Sequence, residues 1–184
     1  MSAANLSERI DQSIADGRLV KVTRRQGWER LEGSIVARSS KWLLLALEYD
    51  AGFNGHALVR VSDVRRIERY PSSSFVERAL AREGHWALPE LAGVNLSSTR
   101  TALESLAASQ VLVAIHDEQD HPNECLIGVP RDFGRKKFRL QNVGTDAQWD
   151  AEDSVHRYRS VSRIDVGNAY ERRLAAIAGP PPTD

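Results

Sequence analysis

Residues His116 to His121, "HDEQDH", put two imidazoles and three carboxylates within six positions. Those are the side chains that hold zinc or a harder divalent cation. The stretch follows a β-branched run and precedes a Pro-Asn pair, so it reads as a hairpin tip, where solvated polar residues gather with or without a metal. His56 and His85 have no acid or nucleophile near them in sequence, so a catalytic triad would have to be assembled from distant residues. The chain carries neither a Gly-rich phosphate loop nor a helix-borne His-Glu-x-x-His pattern. Its single cysteine, Cys125, excludes an internal disulfide and a cysteine-based zinc site, and in "ECLIGV" it reads as a small core side chain. No catalytic residue, metal or cofactor is assigned on these grounds.

Aromatic residues beside cations are more informative. "RRQGWER" sets Trp28 in a turn with Arg24, Arg25 and Arg30, and "AGFNGH" sets Phe53 at the tip of another turn. Large rings in turns pack poorly inside their own domain, whereas Trp with Arg is the usual anchor pair of a protein interface. The competing reading folds these turns, with Trp86 of the "HWALPELAGV" segment, onto a neighbouring part of the chain.

Charge narrows the partners. Lys+Arg and Asp+Glu are both 25, so the molecule has no net field to draw it to nucleic acid or an anionic membrane. Attraction of that kind must come from a local patch such as Arg135, Lys136 and Lys137. The N-terminus lacks the basic start and apolar run of a signal peptide, and "WLLLAL" is too short to span a bilayer, so a cytoplasmic location is expected.

The elements that position these residues are written twice. A displacement of 92 lays "IDQSIADGRLVKV" (10–22) over "ALESLAASQVLVA" (102–114), with most polar and apolar positions in agreement. Each copy reads as a short amphipathic helix running into a β-branched strand. A displacement of 97 matches "RVSDVRRIE" (60–68) to "RYRSVSRID" (157–165), and one of 94 matches Ser74 and Glu77 to Asn168 and Glu171. Those last pairs have the spacing of a helix capping box. Three matches in the same order imply an internal duplication.

Each copy predicts five short strands between its helices: 19–25, 31–38, 42–49, 57–62 and 64–69, then 111–117, 124–130, 136–142, 154–159 and 161–166. "KWLLLALEYD" has helical propensity, but its brevity between two turns favours a strand. Bent five-stranded sheets of this length are expected to close into small barrels. The resulting layout is a mainly β chain with short helices: a first repeat over 1–84, a linker over 85–98, a second repeat over 99–179 and a disordered tail over 180–184. Two tandem barrels in a pseudo-twofold arrangement are expected.

A helix followed by five strands, with a Gly in the second and a tight turn before the last, resembles the Sm-like fold, whose rhythm small SH3-like barrels share. "LEGSIVARSSKWLLL" follows that apolar framework through Leu31, Gly33, Ile35 and Leu43 to Leu45. The family's base-holding Asp and Asn are replaced by Ser39 and Leu43. Arg60 and Arg157 match its Arg, while the Gly that follows is Val61 or Tyr158. A structural role for the two arginines is an ion pair with Asp63, Glu68 or Asp165 that fastens the last two strands. The resemblance implies open strand edges that pair between subunits. Two functions follow as expectations. The first is a non-catalytic interaction or scaffold module, acting on a protein partner or on further copies through Arg24, Arg25, Trp28, Arg30 and Phe53. The second is RNA or DNA binding through Arg60, Arg157 and Arg135 to Lys137, which zero net charge disfavours.

Overall fold

The computed structural model describes residues 3–25, 30–83, 91–122 and 124–182, and the chain divides into two compact units, Met1–Leu91 and Ala92–Asp184. The first unit runs α1 (Ala3–Asp16), β1 (Leu19–Arg24), β2 (Leu31–Arg38), β3 (Trp42–Tyr49), β4 (Gly52–Arg60), a 3-10 turn (Val61–Asp63), β5 (Val64–Arg69) and α2 (Phe75–Glu83). The second runs α3 (Thr99–Ala107), β6 (Val113–His116), β7 (Cys125–Arg131), β8 (Lys137–Asn142), β9 (Ser154–Arg157), β10 (Arg163–Val166) and α4 (Ala169–Ala178). The chain is thus mainly β with four short helices, none of them, among the described residues, long and apolar enough to cross a membrane.

Strand order is β5-β1-β2-β3-β4 in the first unit and β10-β6-β7-β8-β9 in the second, with antiparallel pairing throughout. The registers superimpose the copies, with the first strands displaced by 93 residues and not by the 92 that the sequence suggests. Val20 sits opposite Gly33 as Val113 sits opposite Gly128, and Leu45 faces Ala57 as Leu140 faces Ser154. At both glycines a Cβ would lie 2.1 Å from a carbonyl oxygen of the next strand, that of Ala46 or Gln141. Only a residue without a side chain lets the two backbones approach so closely, and this crossing bends each sheet around its interior.

Closure into barrels is not observed: β4 makes no ladder with β5, nor β9 with β10. The 3-10 turn carries the chain from β4 to the side of β1, where β5 pairs over Val64 to Arg69, and the sheet stays open. The strand expected over 57–62 begins earlier, at Gly52. Asp50 and Ala51 both have positive φ (53° and 57°), the two-residue hairpin turn that starts the next strand at once, where the sequence suggests a longer loop.

In the first unit Ile10 of α1 joins Val22, Leu31, Ile35, Leu43, Leu45, Val59, Val64 and Ile67 in one buried cluster. The C-terminal helices cover equivalent spots: Leu80 of α2 packs on Leu19, and Leu174 of α4 shares a cluster with Leu112. Asn168 and Glu171 complete the expected capping box. Ser74 makes only half of its own, accepting from the Glu77 amide while the Glu77 carboxylate turns to Arg18 and the Leu19 amide. We predict that Gly33→Ala and Gly128→Ala each lower stability by about 2 kcal/mol or more in denaturant titrations, because backbone must move to admit the methyl. Unchanged unfolding midpoints would contradict this reading of the crossing.

Candidate functional site

The "HDEQDH" residues do not converge. His116 ends β6 and its Nε2 lies 3.1 Å from Asp165 Oδ2 on the neighbouring strand. Glu118 is buried and accepts a 2.9 Å hydrogen bond from the Ser162 hydroxyl. Asp120 and His121 are exposed, and His121 stands 3.8 Å from Glu124. Among the described residues no three His, Cys, Asp or Glu side chains group as metal ligands.

A cysteine-histidine-aspartate arrangement also comes into view, because the register sets Cys125 opposite His116. Its chemistry is unfavourable. Cys125 is exposed and not the core side chain the sequence suggests; partial desolvation, then the charge of Asp165, still raises its thiol, whereas a nucleophilic cysteine needs a lowered one. Burial alone would also raise Asp165, but its hydrogen bond from His116 and the charge of Arg163, whose Nε is 2.6 Å away, outweigh it and hold the carboxyl below its ordinary range.

The residues expected at an interface separate. The Arg24 side chain is fully buried, 3.9 Å from Asp63, because Arg24 sits at the end of β1 with its side chain turned inward. Phe53 belongs to β4, not to a turn tip, and packs against Leu19, Tyr70 and Leu80. Arg25 and Arg30 are exposed, and Trp28 lies outside the described residues, as do His85 and Trp86. Arg60 lies 5.0 Å over the buried Trp42 ring, and burial lowers its pKa. Arg157, by contrast, is exposed on β9 directly opposite Lys137, beside exposed Arg135 and Lys136.

What the structure does assemble is a cleft of about 460 Å³ in the second unit. One wall is the β6–β7 hairpin with Asp117, Asp120 and Glu124; the other is β9 and its following turn, with Arg157 and Arg159. Ile115, Leu126 and Val155 supply an apolar floor, with His156 beside them.

The space can be read by setting the two units side by side. Ile115, Leu126 and His156 occupy the register positions of Val22, Leu31 and Val59, all buried core in the first unit. Leu31 is 4% exposed and Leu126 40%. Ala57 and Val59 have become Ser154 and His156, a polar pair 2.6 Å apart. Ser154 donates to Asn142 Oδ1 at 3.0 Å, which leaves its oxygen able to accept from an imidazole that carries its proton on Nε2. Burial lowers the His156 pKa, against the charge of Asp117, and its ring rests 5.5 Å from that of Phe138. The pair is a hydrogen-bonded lining of the cleft whose imidazole is held toward its neutral form. Its signal is in the sequence, since the displacement of 97 extended three residues upstream sets "ALV" against "SVH".

Compared with protein-family models, curated proteins and solved structures, the chain matches none.

Glu171 gives a pH signature. Its carboxylate, buried at the start of α4, is pushed up to about 7 by burial against hydrogen bonds from Asn168, with the charge of Asp165 adding to the rise. The first unit relieves the equivalent Glu77 with Arg18 at 2.9 Å, whereas Val111 stands at the position of Arg18. A carboxyl raised on folding destabilises the fold once ionised, so stability should fall as pH rises from about 4.5 to about 7 and then level off. The Glu171 contribution to this slope, on the order of 3 kcal/mol, should vanish in Glu171→Gln; persistence of the whole slope would refute the assignment. Cys125 should react with a disulfide reagent at pH 7 several-fold more slowly than a free thiol, despite its exposure. Faster reaction would restore it as a nucleophile.

Proposed function

We propose that the chain is a non-catalytic interaction module, built from two tandem Sm-like units, that assembles with further copies through strand edges. The observation that carries this reading is a pair of open edges. β5 has β1 on one side and β9 has β8 on one side, and among the described residues nothing else in its own unit pairs with either. Tyr70 donates its amide to the Leu19 carbonyl, and in an antiparallel ladder that parity turns the backbone groups of Ile67 and Arg69 outward. Tyr158 donates likewise to Lys136, which turns Val155 and Arg157 outward on β9.

Part of each edge is occupied. Arg9 donates to the Ile67 carbonyl at 3.2 Å, and the Arg157 carbonyl accepts from the Ser160 amide at 3.1 Å. The amides of Ile67, Arg69, Val155 and Arg157 and the carbonyls of Arg69 and Val155 have no hydrogen-bond partner among the described residues. Such rows template the addition of another strand. β5 of one copy meeting β9 of the next is a head-to-tail contact that extends or closes into a ring. The Sm-like resemblance implies the same mode.

One observation favours the second reading, nucleic-acid binding. The β8–β9 register gathers Lys137 and Arg157 beside Arg135 and Lys136, with Tyr158 stacked on Phe138 at 5.5 Å. Retention on heparin that falls with salt and is lost in Lys137→Ala with Arg157→Ala would support it.

Assembly is tested by light scattering across concentration. The wild type should exceed monomer mass, while Arg69→Pro and Val155→Pro, which remove outward amides and leave each internal ladder intact, should be monomers with unchanged circular dichroism. A wild type that stays monomeric at millimolar concentration would overturn the proposal.

A further inference from the structure

The cleft and the open edge of β9 are one feature. Val155, His156 and Arg157 line the cavity, and the Val155 and Arg157 amides with the Val155 carbonyl form the outward row of the same strand. We propose that the second unit binds an extended peptide segment of another protein, which adds to β9 as a strand and sets an apolar side chain into the cleft with a basic residue two places along. The inference rests on the reading of β9 as a binding edge, but not on a second copy being what binds there.

Three properties select this occupant. Main-chain donors and an acceptor in a row match an extended backbone, and a side-chain recess beside such a row is how strand addition gains specificity. Leu126 is 40% exposed beside this edge, so an apolar side chain laid against it removes surface that the fold leaves wet. The opposite wall supplies the charge preference. Asp117, Asp120 and Glu124 face the cavity, and the ion pair each has among the described residues is at most the exposed one between Glu124 and His121. Side chains of an added strand that point the same way are two residues apart, so the residue after next falls to that wall. On the β9 side Arg157 and Arg159 repel a basic residue, which fixes the direction of the segment.

The first unit makes no comparable offer. Its equivalents Val22, Leu31 and Val59 are packed together in the core, so a strand laid on its sheet would find no recess at those positions.

The test uses the full chain and a capped, fluorescent hexapeptide with valine at position 2, lysine at position 4 and threonine elsewhere, so that both side chains share one face, with glutamate in place of the lysine as the charge control. Anisotropy should show saturable binding of the lysine peptide, weakened at least tenfold by Val155→Pro and by Asp117→Asn with Glu124→Gln, with the glutamate peptide at least tenfold weaker. Amide shifts in nuclear magnetic resonance spectra should move over 115–126 and 154–160 and not in the first unit. Light scattering on the same samples separates the two ideas. A wild type that assembles but takes up neither peptide sinks this inference and spares the assembly reading. A monomer that binds the lysine peptide does the reverse. Binding that ignores Val155→Pro, or that treats the two peptides alike, overturns the inference.

Discussion

The close approach at Gly33 and Gly128 is the constraint on which the rest of each unit depends. At 2.1 Å from a carbonyl oxygen of the adjoining strand, there is no volume for any Cβ. The strand can therefore lie hard against its neighbour and bend, and the bend turns Val22, Leu31, Leu43 and Val59 toward one another in the first unit. Once the sheet is bent, the short corner at Val61–Asp63 delivers β5 beside β1 and not beside β4. The open order, and with it the exposed edges, follows from local geometry and not from any missing strand.

Given the same frame twice, the two units differ in what fills it. Two alterations at β9, Ala57 to Ser154 and Val59 to His156, exchange apolar volume for a hydrogen-bonded pair that also engages Asn142. The polar pair is satisfied, so it does not carry the penalty of an orphaned buried group. What it gives up is apolar contact, and Leu126 on the same face is 40% exposed where Leu31 is 4%. The α4 cap shows the same pattern: replacing Arg18 by Val111 leaves Glu171 buried without the cation that Glu77 has. In both places the second unit departs from the first by losing an internal partner.

Much of this frame is legible in the sequence, since repeated amphipathic helices, β-branched runs and capping residues each act through local spacing. Gly33 is legible for the same reason, as a Gly within a strand needs a packing explanation. Asp50 and Ala51 mislead, because a non-glycine pair in the left-handed region gives little sign that a loop is only two residues long. Arg24 and Phe53 mislead differently. Both look exposed beside turn residues, and only the strand register shows that one points inward at Asp63 and the other toward α2. The cleft escapes a search for catalytic or ligand motifs because it is made by a change of polarity at positions that are apolar core in the first unit. His156 and Ser154 acquire meaning only when set against Val59 and Ala57.

That comparison is the center of the account: a polar pair holds open in the second unit what apolar packing fills in the first. Restoring the first unit's residues with Ser154→Ala and His156→Val, and following urea unfolding, tests it most directly. Apolar burial regained in the interior should raise the unfolding midpoint of the second unit, by roughly 1 kcal/mol of stability. A lower midpoint would mean that the Ser154–His156–Asn142 network supports the fold rather than opens it, and would contradict the account.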